Sequence, residues 1–222
     1  MATGLNLGRW RGMLFDLDGT LADTAPDLAA AANAMRIARG IEALPLEVLR
    51  PVASQGARGL LRVAFKKSPD DEDYVALRDE FLSRYQDALV VHTRLFDGMP
   101  EVLDALEQRG LAWGIVTNKA ERFTKPLAAC LGLASRAAAI VSGDTTPFSK
   151  PHPGPLLHAA ELLGLPPSEC VYVGDDHRDI VAGRAAGMGT IAAAWGYCAH
   201  SPPTQWEADI VLAHPRDLLT LF

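Results

Sequence analysis

The chain is short of cysteine, of cationic charge and of long apolar runs, and each shortage removes a class of protein. Its three cysteines, Cys130, Cys170 and Cys198, stand far apart in 222 residues and form no C-x-x-C. An odd, scattered set excludes a disulfide framework and a zinc-ribbon pattern, and fits free thiols in a reducing compartment. Lys and Arg number 21 against 27 Asp and Glu, a formal net charge of −6. That balance argues against nucleic acid or an anionic membrane surface as the partner, while a local pocket can still bind a small anion. No apolar run approaches membrane-span length, and the opening MATGLNLGRWRG has no apolar core of signal-peptide length. The chain therefore reads as cytoplasmic.

The rest is ordinary for a globular protein, with 49% hydrophobic and 22% charged residues. The length suits one large domain or one domain carrying an insert. Residues 12–17 (GMLFDL) read as a fully apolar strand of the kind buried on both faces. An Ala-rich helix follows over Asp27–Arg39, with Pro26 suited to its first turn. Charged and apolar residues then alternate at helical spacing to about residue 90, with no strand between residues 25 and 92. From residue 100 the pattern changes to strands alternating with helices: AWGIVTN, AAIVSGD, CVYVGDD, GTIAAAWG and ADIVLA separate helical stretches. In one of these, ERFTKPLAACLGL, Pro126 predicts a late start or a kink. Alternation of this kind predicts an α/β fold with a doubly wound, Rossmann-type parallel sheet. An α-helical cap domain over 25–92 would interrupt a core of 1–24 and 93–222.

Doubly wound sheets bind ligands beyond the carboxyl ends of their strands. Asp16 and Asp18 stand there after the first strand, Thr117 and Asn118 after another, and Asp175 and Asp176 after a third, with Lys150 in a loop. Carboxylates, a hydroxyl and a lysine on one rim suit phosphoryl transfer, which needs charge neutralisation and an in-line nucleophile. Clustered carboxylates also supply the oxygen ligands Mg²⁺ prefers. Each segment has a plainer reading: a capped turn for Asp16 and Asp18, a simple turn for Thr117-Asn118, a solvated side chain for Lys150. Asp175 also fits an N-cap and Asp179 a first-turn helix acid. Asp176 and Arg58 fit a surface as well as a site. His92, His152, His158, His200 and His214 show no ligand spacing, His177 and Arg178 suggest no role, and Trp113 and Trp195 read as packing residues.

Taken together, DLDGT, VTN, KP at Lys150-Pro151, and GDDHRD resemble the four ordered motifs of the haloacid dehalogenase-like hydrolase superfamily. FDGMPEVLDAL and VTNKAERFTKPL are similar to its phosphoglycolate phosphatase branch, and RLFDGM, WGIVTNK and GDDHRDI also to N-acetylmuramic acid 6-phosphate phosphatases. The resemblance implies that Asp16 is a nucleophile forming an aspartyl-phosphate and that Asp18 is the general acid and base. It implies Mg²⁺ held by Asp16, Asp18 (through its backbone carbonyl) and Asp175, with Asp179 supporting the metal and orienting Lys150. Phosphate would be cradled by Thr117, Lys150, Asn118 and backbone amides near Asp18 and Gly19. ASQGARGLL (53–61) resembles a cap substrate loop, in which Arg58 would meet the leaving group. The implied substrate is a small phosphorylated metabolite, with 2-phosphoglycolate ahead of an N-acetylated or other sugar phosphate, and the protein would be a monomer or homodimer.

Three other readings use the same residues. A phosphomutase would return the phosphoryl group to its substrate. A haloacid dehalogenase needs no metal and typically lacks the second aspartate, so Asp18 counts against it. A phospho-accepting receiver module is about half this length and has no helical insert after its first strand.

Overall fold

In a computed structural model of the chain, residues 10–198 and 201–221 are described; His200 and the first nine residues lie outside them. The first strand, β1 (Gly12–Phe15), is buried along its whole length. Met13 and Phe15 face one side of the sheet and Leu14 the other, so both faces demand cover and the strand is apolar throughout. The strand ends at Phe15, two residues earlier than the apolar run implied, so Asp16 and Asp18 lie in the turn beyond it. A two-residue strand β2 (Ala22–Asp23) leads into α1 (Ala25–Ala38), α2 (Leu46–Leu49), α3 (Gly56–Phe65) and α4 (Tyr74–Asp87). The return strand β3 (Arg94–Leu95) pairs antiparallel with β2, Ala22 opposite Leu95 and Asp23 opposite Arg94. No strand lies between residues 25 and 92, as the sequence pattern predicts.

The alternating half follows: α5 (Met99–Gln108), β4 (Ala112–Val116), α6 (Glu121–Cys130), β5 (Ala139–Val141), α7 (Gly154–Leu163), β6 (Cys170–Gly174), α8 (His177–Ala185), β7 (Gly189–Ala193) and β8 (Ile210–Leu212). The sheet order is β5-β4-β1-β6-β7-β8, and every pairing is parallel. One face packs Phe15, Ile115 and Val173 against α5 and α6, and the other packs Leu14, Val116 and Tyr172 against α7 and α8. This is the doubly wound parallel sheet expected from the alternation.

α6 departs from expectation: it begins at Glu121 and runs through Pro126, so the late start does not occur. Pro126 lies inside the helix, where it forgoes the bond to the Arg122 carbonyl and its ring crowds that carbonyl. Cys130 at the end of α6 is exposed, whereas Cys170 is buried; all three cysteines are free. Among the described residues no helix is long and apolar enough to cross a membrane.

The helices between β2 and β3 share a hydrophobic cluster of their own. In α1, Leu28, Ala32 and Met35 lie on one helical face and meet Leu60 and Leu61 of α3 and Phe81 and Tyr85 of α4. Phe123 and Tyr197, from outside this helical block, join the cluster. Buried Asp27 fastens the block where the chain returns. Its carboxylate accepts from the backbone N–H of Val91 (3.0 Å), His92 (2.9 Å) and Thr93 (2.9 Å) and from the Thr93 hydroxyl (2.7 Å). Asp27→Ala orphans these donors, so a loss of about 3 kcal/mol is expected, read as a lower urea midpoint with unchanged m.

Candidate active site

β1 lies between β4 and β6 in the sheet, with Phe15 paired to both Ile115 and Val173. The carboxyl ends of these three strands therefore deliver Asp16, Thr117 and Asp175 side by side. The turn after β1 is closed by Ala22 N–H to the Leu17 carbonyl and Gly19 N–H to the Ala22 carbonyl, both 2.9 Å. Gly19 has φ +88°, and a Cβ there would stand 2.2 Å from Asp175 Oδ2. Glycine is required because the Asp175 carboxylate fills that space. The Gly19 N–H, expected to face a phosphate, is instead spent on the turn.

Lys150 enters from the loop before α7. Its Nζ lies 2.9 Å from Asp16 Oδ1, 2.8 Å from Asp179 Oδ1, 3.0 Å from the Val116 carbonyl and 2.7 Å from the Tyr172 hydroxyl. Asn118 holds this loop through both ends of its side-chain amide: Nδ2 donates to the Lys150 carbonyl and Oδ1 accepts from the Lys150 N–H, each 2.9 Å. Its side-chain amide thus positions Lys150, and Asn118 also lines the cavity. Thr117 is buried and lines the cavity, its Oγ1 accepting from Lys119 N–H at 3.1 Å.

Asp16, Asp175 and Asp179 each offer a carboxylate oxygen within 4.8 Å of the others, and all three are buried. Asp175 accepts from the Thr20 hydroxyl (3.0 Å), Tyr197 N–H (2.9 Å) and the Ser54 hydroxyl (3.3 Å). Three buried carboxylates against one ammonium leave a surplus of negative charge. Burial first, then Lys150 pulling the other way and Asp179 repelling, pushes Asp16 up to about 6. Burial, with Asp16 and Asp179 beside it, holds Asp175 well above the usual carboxylate range. For Lys150 burial opposes the charge, but Asp16 and Asp179 outweigh it and raise its pKa. The donor set is all oxygen and lacks positive charge, which fits a divalent cation such as Mg²⁺.

Asp18 stands apart from this cluster. Its carboxylate accepts from the Thr24 hydroxyl and from Lys119 Nζ (3.0 Å). Any part for Asp18 in metal binding therefore falls to its backbone carbonyl. Asp176, rather than Asp175, is the N-cap of α8; it is buried, accepts from Arg178 N–H and closes a capping box with Asp179. Arg58 is exposed and does not line the cavity, although residues 53–57 of the same loop do. α3 begins at Gly56, so helical phase turns Arg58 away.

The cavity above these groups has a volume of about 280 Å³. Asp16, Asp18, Thr117, Lys119, Lys150 and Arg178 give it a charged floor, and Leu28, Phe81, Leu82, Tyr85 and Phe123 an apolar wall. Lys119, Arg178 and Tyr85 receive no role from the sequence, although Lys119 and Arg178 stand inside the VTNK and GDDHRD stretches. Lys119 directly follows Thr117-Asn118, which is a signal of position but not of direction. Arg178 bridges Asp176 and the Ser54 carbonyl at 3.0 Å, joining the two halves of the fold.

Residues 13–193 match the family described as haloacid dehalogenase-like hydrolase. The chain is 48% identical over 209 residues to a phosphoglycolate phosphatase of Xanthomonas campestris pv. campestris (strain 8004), covering 94% of each chain. It is 46% identical over 212 residues to an N-acetylmuramic acid 6-phosphate phosphatase of Pseudomonas aeruginosa, covering 95% of this chain and 94% of that one. A crystal structure described as a predicted phosphoglycolate phosphatase from Haemophilus somnus 129PT superposes with a TM-score of 0.85 at 26% identity, over 96% of this chain and 98% of that one.

Proposed function

We propose, from the premise that this chain belongs to the haloacid dehalogenase-like hydrolase family and is a phosphatase, that it cleaves a small phosphomonoester through an aspartyl-phosphate on Asp16 with Mg²⁺. The observation that carries this is the buried cluster of Asp16, Asp175 and Asp179 around Lys150 at the floor of the cavity. Asp16 Oδ attacks phosphorus while the leaving oxygen takes a proton from Asp18. Water then attacks the aspartyl-phosphate, returns a proton to Asp18 and frees the Asp16 carboxylate. Asp16 and Asp175, with the Asp18 backbone carbonyl, would hold the metal, and Asp179 would support it. When bound, Mg²⁺ supplies the charge that offsets repulsion between a carboxylate and a dianionic phosphate. Thr117 and Lys150 bind the transferring oxygens, and Asn118 fixes Lys150. Residues 25–92 act as a cap that excludes water.

Two substrates are named in the relatives. A cavity of about 280 Å³ is near the roughly 300 Å³ at which sites begin to hold drug-sized ligands. Glycolate leaves most of that volume empty, whereas an N-acetylated sugar acid fills it and uses both the charged floor and the apolar wall. We therefore place N-acetylmuramic acid 6-phosphate ahead of 2-phosphoglycolate.

The test is release of inorganic phosphate from both esters on one preparation. Both should yield phosphate with Mg²⁺, with the higher kcat/KM for the sugar phosphate, and EDTA should stop the reaction until Mg²⁺ is restored. Isomerised sugar phosphate without free phosphate would instead identify a mutase, and metal-independent turnover would remove Mg²⁺ from the site.

A further inference from the structure

Tyr85 lies in the last turn of α4, is 1% exposed and lines the cavity. Among the described residues, that oxygen is the buried side-chain polar atom that lacks a hydrogen-bond partner. The contrast with two equally buried tyrosines is direct. The Tyr172 hydroxyl accepts from Lys150 and donates to the Val116 carbonyl, each 2.7 Å. The Tyr197 hydroxyl accepts from Thr24 and Ala25 N–H, each 2.8 Å, and donates to Asp23 Oδ1 at 3.1 Å. A chain that satisfies those two leaves the one at the cavity wall open, and an unmade buried hydrogen bond is costly.

The ring is held in place. Phe81 stacks on it at 6.4 Å and 7°, and Phe123 packs at 5.5 Å and 51°. Lys119 Nζ sits over the ring face, 4.6 Å from its centroid, and directs its hydrogen bond to Asp18. Burial, the largest influence, keeps the phenol above its ordinary pKa, so it offers a neutral donor.

We propose that Tyr85 is a specificity-determining residue, whose hydroxyl donates to an uncharged acceptor on the leaving half of the substrate. An acetamido carbonyl or a sugar hydroxyl meets that description, and Phe81 and Phe123 cover the adjacent apolar part. 2-Phosphoglycolate offers no uncharged acceptor besides its ester oxygen. The inference rests on the phosphatase reading above and deepens it: the substrate class is a phosphorylated sugar bearing a neutral acceptor.

Tyr85→Phe tests this by the ratio of two kcat/KM values, for N-acetylmuramic acid 6-phosphate over 2-phosphoglycolate, together with Tm in the absence of substrate. The ratio should fall about tenfold or more, chiefly through KM for the sugar phosphate, because a site built to hydrogen-bond its substrate loses that discrimination. Tm should hold or rise, since the variant removes an unpaired polar atom. An unchanged ratio overturns the proposal, as does a fall in Tm, which would reveal a structural partner for the hydroxyl. A wild-type enzyme that cleaves 2-phosphoglycolate but not the sugar phosphate overturns it while leaving the phosphatase reading intact. A wild-type enzyme that releases phosphate from neither ester overturns both.

Discussion

Asp16→Asn is expected to lower phosphate release by about 10⁴-fold or more and, in metal-free buffer, to make the protein more stable at pH 7. The first effect follows because a neutral amide cannot replace an attacking carboxylate. The second follows from where the carboxylate sits. Burial is the main reason its pKa stands at about 6 rather than 3.8, and Lys150 only partly offsets it. In acid, below the unfolded value, the carboxyl is neutral in both states and carries no penalty. As pH rises from about 4 to about 6 the unfolded chain releases its proton more readily than the folded one, so folding stability falls, and above about 6 the whole penalty is present. Roughly two units correspond to about 3 kcal/mol as an upper figure, so the asparagine variant should gain about 1–3 kcal/mol at pH 7 and almost nothing at pH 4. Urea unfolding in EDTA at the two pH values measures it. A variant less stable than wild type at pH 7 would show that the Lys150 contact outweighs desolvation, and retained turnover would remove Asp16 as nucleophile.

The groups that were legible in the sequence are those that follow apolar runs. Asp16, Thr117 and Asp175 directly follow buried strands, so reading the strand also reads the residue after it. Lys150 was readable because Pro151 marks its loop. Side-chain direction was not. Gly19 stands where expected, but its N–H closes a turn, and the Asn118 side chain spends a donor and an acceptor on Lys150's backbone. Arg58 lies in the right loop and the wrong helical phase. Tyr85, Lys119 and Asp18 are brought together by contacts of α4 with Lys119 and with Phe123 of α6, between distant segments that no local pattern announces. The same holds for Tyr197, whose backbone N–H binds Asp175 while its hydroxyl caps the entry to α1.

Lys150→Met should be the most destabilising single change at this site. Asp16, Asp175 and Asp179 would remain buried with no counter-charge, and removing one partner from a buried ionic group costs about 3–5 kcal/mol. Three consequences separate this from a generic packing loss. Lowering the pH from 7 to 5 should recover part of the stability, because Asp16 and Asp175 already hold protons tightly and would hold them more tightly without the lysine. Mg²⁺ should recover more, since it binds only the folded arrangement of carboxylates and shifts unfolding by mass action. Lys150→Arg should rescue poorly: four acceptors at 3.0 Å or less surround one nitrogen, and a planar fork cannot occupy that point. Phosphate release should fall about 10²–10³-fold in both variants, the scale for losing one charge-stabilising donor. Urea midpoints at pH 5 and pH 7, with and without Mg²⁺, decide the matter. A stability loss indifferent to both proton and metal would mean that Lys150 contributes by filling space, and the charge surplus inferred for the carboxylate cluster would have to be given up.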